Sequence, residues 1–264
     1  MDWVPICKRF VAFIDIAGFK AMVKKESATE IATLLSDFKL LADKQCEEYG
    51  QPNMLFTIAI SDSIVVFSKD DSEDSFACFC QSLGVIFNNA MTLKLMNAGV
   101  AFGDMYVDRA NMIFFGEPYI IAYTLQEKMD YYGILCDESV SKYIKEKEHV
   151  TQNKHFHFYK KLFIKQPSPL KILKISESSI YKDMQDVLNF KWFDMHFAPT
   201  HKFVEEDGII VGTYYDRMLR VIERERKKLI STEEYSKIEE RINNTIEMIE
   251  IFSKYSVYHN SNSI

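Results

Sequence analysis

Arg9–Phe19 reads RFVAFIDIAGF. From Phe10 to Ile14 it holds no polar side chain and is rich in Phe, Val and Ile, the composition of a strand buried on both faces. Asp15 then sets a carboxylate near the end of the run, and Gly18 breaks it. A charge at the tip of a buried strand costs free energy unless it has a partner or a task.

Working outward, Ser27 and Glu30 stand in capping-box spacing, with Ile31, Leu34, Leu35, Phe38 and Leu41 at helical intervals and Gly50 as a stop. Met54–Ile60 and Ile64–Phe67 read as two strands joined by a tight turn at Ser61-Asp62-Ser63. A helix over about Asp74–Ala90 follows, then strands at Asn97–Asp108 and Met112–Phe115 and a helix from near Glu117. Strand, helix, hairpin, helix, strand is a ferredoxin-like α+β core. Beyond residue 150, Phe156–Ile164 and Leu170–Ser176 read as strands with a turn at Pro167 and Pro169, and Trp192–Pro199 has no clear period. The last fifty residues are helical, with a second capping box at Ser231 and Glu234. Tyr235, Ile238, Ile242, Ile249 and Phe252 make an apolar seam that packs either on this domain or on another subunit. The expected division is a catalytic domain over 1–150 and a C-terminal extension of strands and helices over 151–264.

The 264 residues carry a net charge of −6 and no obvious cluster of Lys and Arg, which argues against a nucleic-acid surface. No apolar run approaches the roughly 20 residues of a membrane span, and the first residues lack a signal-peptide layout, so the expectation is a cytoplasmic protein away from membranes. Five cysteines without a C-x-x-C pair argue against a disulfide framework or a zinc site.

In a ferredoxin-like sheet the first strand lies antiparallel to the third, so the end of one meets the start of the other. Asp15 occupies the first position and Asp62 the second, and neighbouring strands are about 4.8 Å apart. Taken singly, each aspartate is ordinary turn chemistry. Together they converge, repel, and call for a divalent cation, and paired metals serve in-line attack at phosphorus. The turn after Asp15 offers backbone N–H groups to phosphate oxygens.

These residues resemble the class III nucleotidyl cyclases. The F-x-D-I-x-G-F motif of that family is present as Phe13, Asp15, Ile16, Gly18 and Phe19, and its second metal aspartate matches Asp62. GVAFG at Gly99–Gly103 is similar to the family's G-x-x-x-G strand, and FFGEPYIIAYTLQE to its later F-G segment. The likeness covers about residues 9–145. It implies a metal-dependent conversion of a nucleoside triphosphate to a 3′,5′-cyclic monophosphate and pyrophosphate, in a homodimer with shared active sites. It also implies two Mg²⁺ or Mn²⁺ ions held by Asp15, Asp62 and the Ile16 carbonyl, with Ala17, Gly18 and Phe19 contacting the triphosphate and Phe13 in the same substrate-binding strand.

The departures bear on the substrate. Where adenine-using members carry a Lys before the second metal aspartate this chain has Ile58, and their partner Asp falls at Ile113. The short cyclases of the bacterial anti-phage system called Pycsar share this departure. That resemblance implies a pyrimidine triphosphate, UTP or CTP, as substrate, a cyclic UMP or cyclic CMP messenger, and a separate effector that responds to it. Thr57, Ile58 and Ser61 are the candidate pocket-lining positions. The Asn and Arg that orient ribose and stabilise the transition state in the family fall at Ile120 and Thr124. Their loss keeps open a different reading, a catalytically silent module that binds nucleotide or dimerises, and leaves Arg109 or Lys128 as candidate substitutes. No G-G-D-E-F-like hairpin is present, which disfavours a diguanylate cyclase.

Overall fold

The computed structural model describes residues 3–49, 53–173, 180–192, 202–204, 210–229 and 235–254. Strand β1 (Ile6–Ile16) is an interior strand of the sheet and is buried from Arg9 to Ile14. It pairs antiparallel with β3 (Ser63–Ser68) on one side and with β4 (Met96–Asp108) on the other, and β2 (Leu55–Ile60) closes the first edge. The order β2-β3-β1-β4, with helices between β1 and β2 and between β3 and β4, is the expected ferredoxin-like arrangement. The fold is α+β.

Two helices connect β1 to β2. A short α1 (Phe19–Lys25) precedes α2 (Ala28–Tyr49). The capping box forms: Glu30 Oε2 accepts from Ser27 N at 2.9 Å and Ser27 Oγ accepts from Glu30 N at 3.3 Å. The Gly50 stop lies outside the described residues. Helix α3 (Glu73–Leu93), capped by Ser72, packs with α2 on one face of the sheet over Phe10, Ala12, Ile14 and Ile16.

The opposite face belongs to Val11, Phe13, Val65, Phe67 and Ala101, and α4 (Glu117–Lys128) covers it. Helix α4 follows the short β5 (Ile113–Phe115), which pairs with the end of β4. Gly99 makes the close contact possible, since a Cβ there would stand 1.9 Å from the Ala122 carbonyl oxygen.

The sheet continues past β4. Parallel to β4 runs β6 (Ile134–Cys136), followed by β8 (Ile180–Phe190) and β7 (Phe163–Leu173) at the far edge. Two expectations are corrected in this region. Phe156–Ile164 is not one strand: Asn153 Oδ1 accepts from His155 N and Phe156 N and caps a helix, α6 (Lys154–Tyr159), so extended backbone begins only at Phe163. Pro167 and Pro169 make no turn; both lie inside β7, opposite Asp186 and Met184. Proline is tolerated there because β7 is an edge strand.

Between β6 and α6, α5 (Glu138–Lys147) buries Val140 and Tyr143. A small hairpin of β9 (Lys202–Val204) and β10 (Ile210–Thr213) leads into α7 (Tyr214–Leu229) and α8 (Tyr235–Lys254). Of the apolar seam, Ile242, Ile249 and Phe252 are buried in the same core as Phe10 and Phe76, so this helix packs on its own chain. The Ser231–Glu234 capping box lies outside the described residues, as does the side chain of Tyr235. Among the described residues no helix is long and apolar enough to cross a membrane.

Candidate functional site

The register of β1 decides where its charge goes. Asp15 stands opposite Ser63 of β3 and Asn97 of β4, on the face that also carries Phe13. Ser63 Oγ donates to Asp15 Oδ1 at 2.9 Å. The turn between β2 and β3 is Ser61-Asp62, with Ser61 in the left-handed region at φ 55°. Asp62 O accepts from Ile16 N at 3.3 Å, which ties the turn to the end of β1. The two aspartates therefore share one end of the sheet, as the topology requires.

Burial pushes the Asp15 carboxyl up to about 6, and the negative charges of Asp62 and Glu127 add to it. The Ser63 hydrogen bond and the charge of Arg241 oppose the rise without cancelling it. The charge of Glu127 acts from α4, where its Oε1 accepts from the Tyr123 hydroxyl at 2.8 Å. Tyr123 packs edge-on against Phe13, with ring centroids 5.2 Å apart. On the other side, Asn97 is 4% exposed and its Oδ1 is buried with no hydrogen-bond donor among the described residues.

Asp15, the Asp62 turn and the buried Asn97 amide oxygen thus lie at one end of the sheet, where Ser63 donates to Asp15, and carboxylate and amide oxygens are the ligand type a hard divalent cation takes. Among the described residues no cluster of three or more His, Cys, Asp or Glu side chains is placed to hold an ion. An ion at Asp15 and Asp62 would need backbone oxygen, water or substrate phosphate to fill its shell, the usual habit of Mg²⁺.

The other expected residues divide. Gly18 takes φ 75° as the cap of α1, a left-handed turn that glycine adopts without strain. Phe19 opens that helix. Ala17 N already donates to Leu95 O at 2.9 Å, so its N–H is not available to a phosphate, a correction to the expected cradle. Ile58 is 2% exposed and lies on the Asp15 face, packed with the residues under α4. Ser61 is exposed at the hairpin tip.

Thr57 is a second correction. It pairs with Val66, on the face of α2 and α3, and its hydroxyl donates to Asp43 of α2. Thr57 and Ile58 point to opposite faces because side chains alternate along a strand, so Thr57 does not line the Asp15 end. It borders instead a cavity of about 500 Å³ between α2 and β2, together with Lys39, Asp43, Phe56 and Arg109.

Of the two earlier candidate cations, Arg109 stands away from this end of the sheet. Arg109 follows the far end of β4, roughly 35–40 Å along the strand from Asn97. There its Nη1 donates to Asn53 Oδ1 at 2.6 Å, and its guanidinium lies over Trp3 and Phe56. Lys128 is exposed on the last turn of α4. Asn97, the register partner of Asp15, and the groups coupled to it electrostatically, namely Tyr123, Glu127 and Arg241, were missed in the sequence. Asn97 was legible in principle, as a polar residue opening an otherwise apolar strand.

No family model matches the chain, and no curated protein matches it. Among solved structures the fold is similar to a bacterial light-regulated adenylyl cyclase, at a TM-score of 0.45 and 12% identity over 83% of this chain and 98% of that one. It is similar also to the catalytic core of a rhodopsin-guanylyl cyclase with converted specificity in complex with ATPalphaS (TM-score 0.46, 14% identity, 69% and 95% covered). A further likeness is to the adenylyl cyclase CyaB from P. aeruginosa (TM-score 0.44, 16% identity, 69% and 94% covered). At these values they describe a likeness of arrangement and nothing of activity.

Proposed function

We propose that the chain is a metal-dependent nucleotidyl cyclase that converts a pyrimidine nucleoside triphosphate, UTP or CTP, to its 3′,5′-cyclic monophosphate and pyrophosphate. The observation that carries this reading is the meeting of Asp15 and Asp62 at one end of the sheet, with Asp15 raised to about 6 by burial and by its neighbour's charge. In the reaction the ribose 3′ oxygen bonds to the α-phosphorus, and the bond from that phosphorus to the α–β bridging oxygen breaks. Pyrophosphate leaves and the hydroxyl proton passes to water. Asp15, Asp62 and the Ile16 carbonyl would hold Mg²⁺ or Mn²⁺, which supplies charge neutralisation to the phosphates. The left-handed turn at Gly18 supports a placement of the Gly18–Phe19 backbone against the phosphates.

Ile58 supports a base other than adenine, because a buried aliphatic side chain offers no hydrogen bond where adenine would need one. A homodimer with shared sites is supported by the apolar residues left open on and beside α4: Ile120 (63% exposed), Phe115 (61%) and Ile113 (49%). The proposed role is the messenger step of an anti-phage response, upstream of a separate effector activated by the cyclic nucleotide.

The test is incubation of the purified chain and Mn²⁺ with each of the four labelled ribonucleoside triphosphates. Cyclic UMP or cyclic CMP is expected, reduced by at least about a hundredfold in Asp15→Asn and Asp62→Asn. Absence of any cyclic product, with nucleotide still bound, would leave the silent module, the reading favoured by Ile120 and Thr124.

A further inference from the structure

Helix α8 is fixed to the loop that precedes β6. Tyr132 N donates to Thr245 Oγ1 at 2.8 Å, and Asn244 Nδ2 donates to Asp130 O at 2.9 Å and to Asp130 Oδ2 at 3.1 Å. This loop ends at the site, because Gly133 O accepts from Ala98 N at 2.8 Å and the residue before Ala98 is Asn97, the register partner of Asp15. One turn before Thr245 on the same helix stands Arg241. Its guanidinium carbon lies 4.5 Å above the centre of the Tyr132 ring.

The stacked guanidinium is incompletely used. Nε and Nη2 of Arg241 are both buried and make no well-formed hydrogen bond among the described residues, though the guanidinium lies near enough to the Tyr132 hydroxyl to favour its ionised form. These two nitrogens form one edge of the guanidinium, the edge whose parallel N–H bonds match two oxygens of a carboxylate or a phosphate. The Asp130 carboxylate is engaged by Asn244, and the field of Arg241 acts on Asp15.

We infer that Arg241, carried in by α8, is the cation that receives the phosphate groups of the nucleotide at the Asp15–Asp62 end of the sheet, the task that Thr124 cannot perform. The identity of the nucleotide rests on the cyclase reading; the anion site does not. Because water does not reach the vacant edge, a phosphate fills it only as the α8 face shifts against Tyr132. The C-terminal helix then belongs to the site and responds to its occupant.

The experiment measures binding of inorganic triphosphate, with Mn²⁺ present, by calorimetry on the full chain. Wild type is compared with Arg241→Ala, Arg241→Lys and Arg226→Ala, and melting is recorded for each. Arg226 joins α7 to α8 through Glu239 at 3.0 Å and serves as a structural control. Expected are at least about tenfold weaker binding in Arg241→Ala, partial recovery in Arg241→Lys, and unchanged binding in Arg226→Ala even where its melting temperature falls. Binding in a folded Arg241→Ala equal to wild type, or no binding by wild type, overturns the inference. A wild type that binds through Arg241 yet forms no cyclic product from any triphosphate upholds the anion site and removes the cyclase reading.

Discussion

Asp15 is held in a place that suits a ligand better than it suits a charge. Its carboxyl is raised to about 6 by burial, so the native state binds this proton more tightly than the unfolded chain does. The associated stability is full below the unfolded value near 3.9 and is lost as pH rises through about 6. In metal-free buffer Asp15→Asn, which keeps the acceptor for Ser63, therefore melts above wild type at pH 7.5, and the difference closes toward pH 4. Thermal denaturation across that range checks it; a constant offset would be the wrong result. This aspartate was legible in the sequence because it interrupts an apolar run. Thr57 was misplaced because a shift of one residue along a strand changes the face, and no periodic signal separates Thr57 from Ile58. Arg241 was out of reach for a different reason: its position depends on a helix returning across the whole chain to the β6 loop.

Helix α4 lies so close to β4 that one methyl group would displace it. Gly99→Ala places a Cβ at 1.9 Å from Ala122 O, and a loss of about 1–3 kcal/mol in urea unfolding is expected. The same substitution pushes Tyr123 and Glu127 away from Asp15, so under the proposed function cyclic-nucleotide formation should fall by more than stability alone explains. Most elements of the first half declare themselves locally, through the Ser27–Glu30 box and the alternation around Ser61-Asp62. In the second half local signals mislead. The aromatic run at Phe156 is taken into a helix by the Asn153 cap, and Lys182, Asp183, Gln185 and Asp186 hide the strand that carries them.

At the scale of the molecule the C-terminal helices complete the core. Ile242, Met248, Ile249 and Phe252 are all buried, and each such side chain is worth roughly 1.5–3 kcal/mol of transfer free energy. A chain truncated after Leu229 should lose cooperative unfolding and bind hydrophobic dye. The open face beside α4 leads to a second expectation. Under the proposed shared-site homodimer, Ile120→Glu should give a monomer by light scattering and remove cyclic-nucleotide formation without lowering the melting temperature. That the helices would pack inward was undecidable from their seam, which serves either destination equally well. The far edge of the sheet speaks to assembly as well. Pro167 and Pro169 stand two residues apart in β7, so neither presents an N–H along that border. Part of that border is already taken by Met129 and Asp130, whose backbone pairs with Leu170 and Pro169, and a strand from another copy finds an interrupted row of donors, which disfavours edge-to-edge pairing on that side.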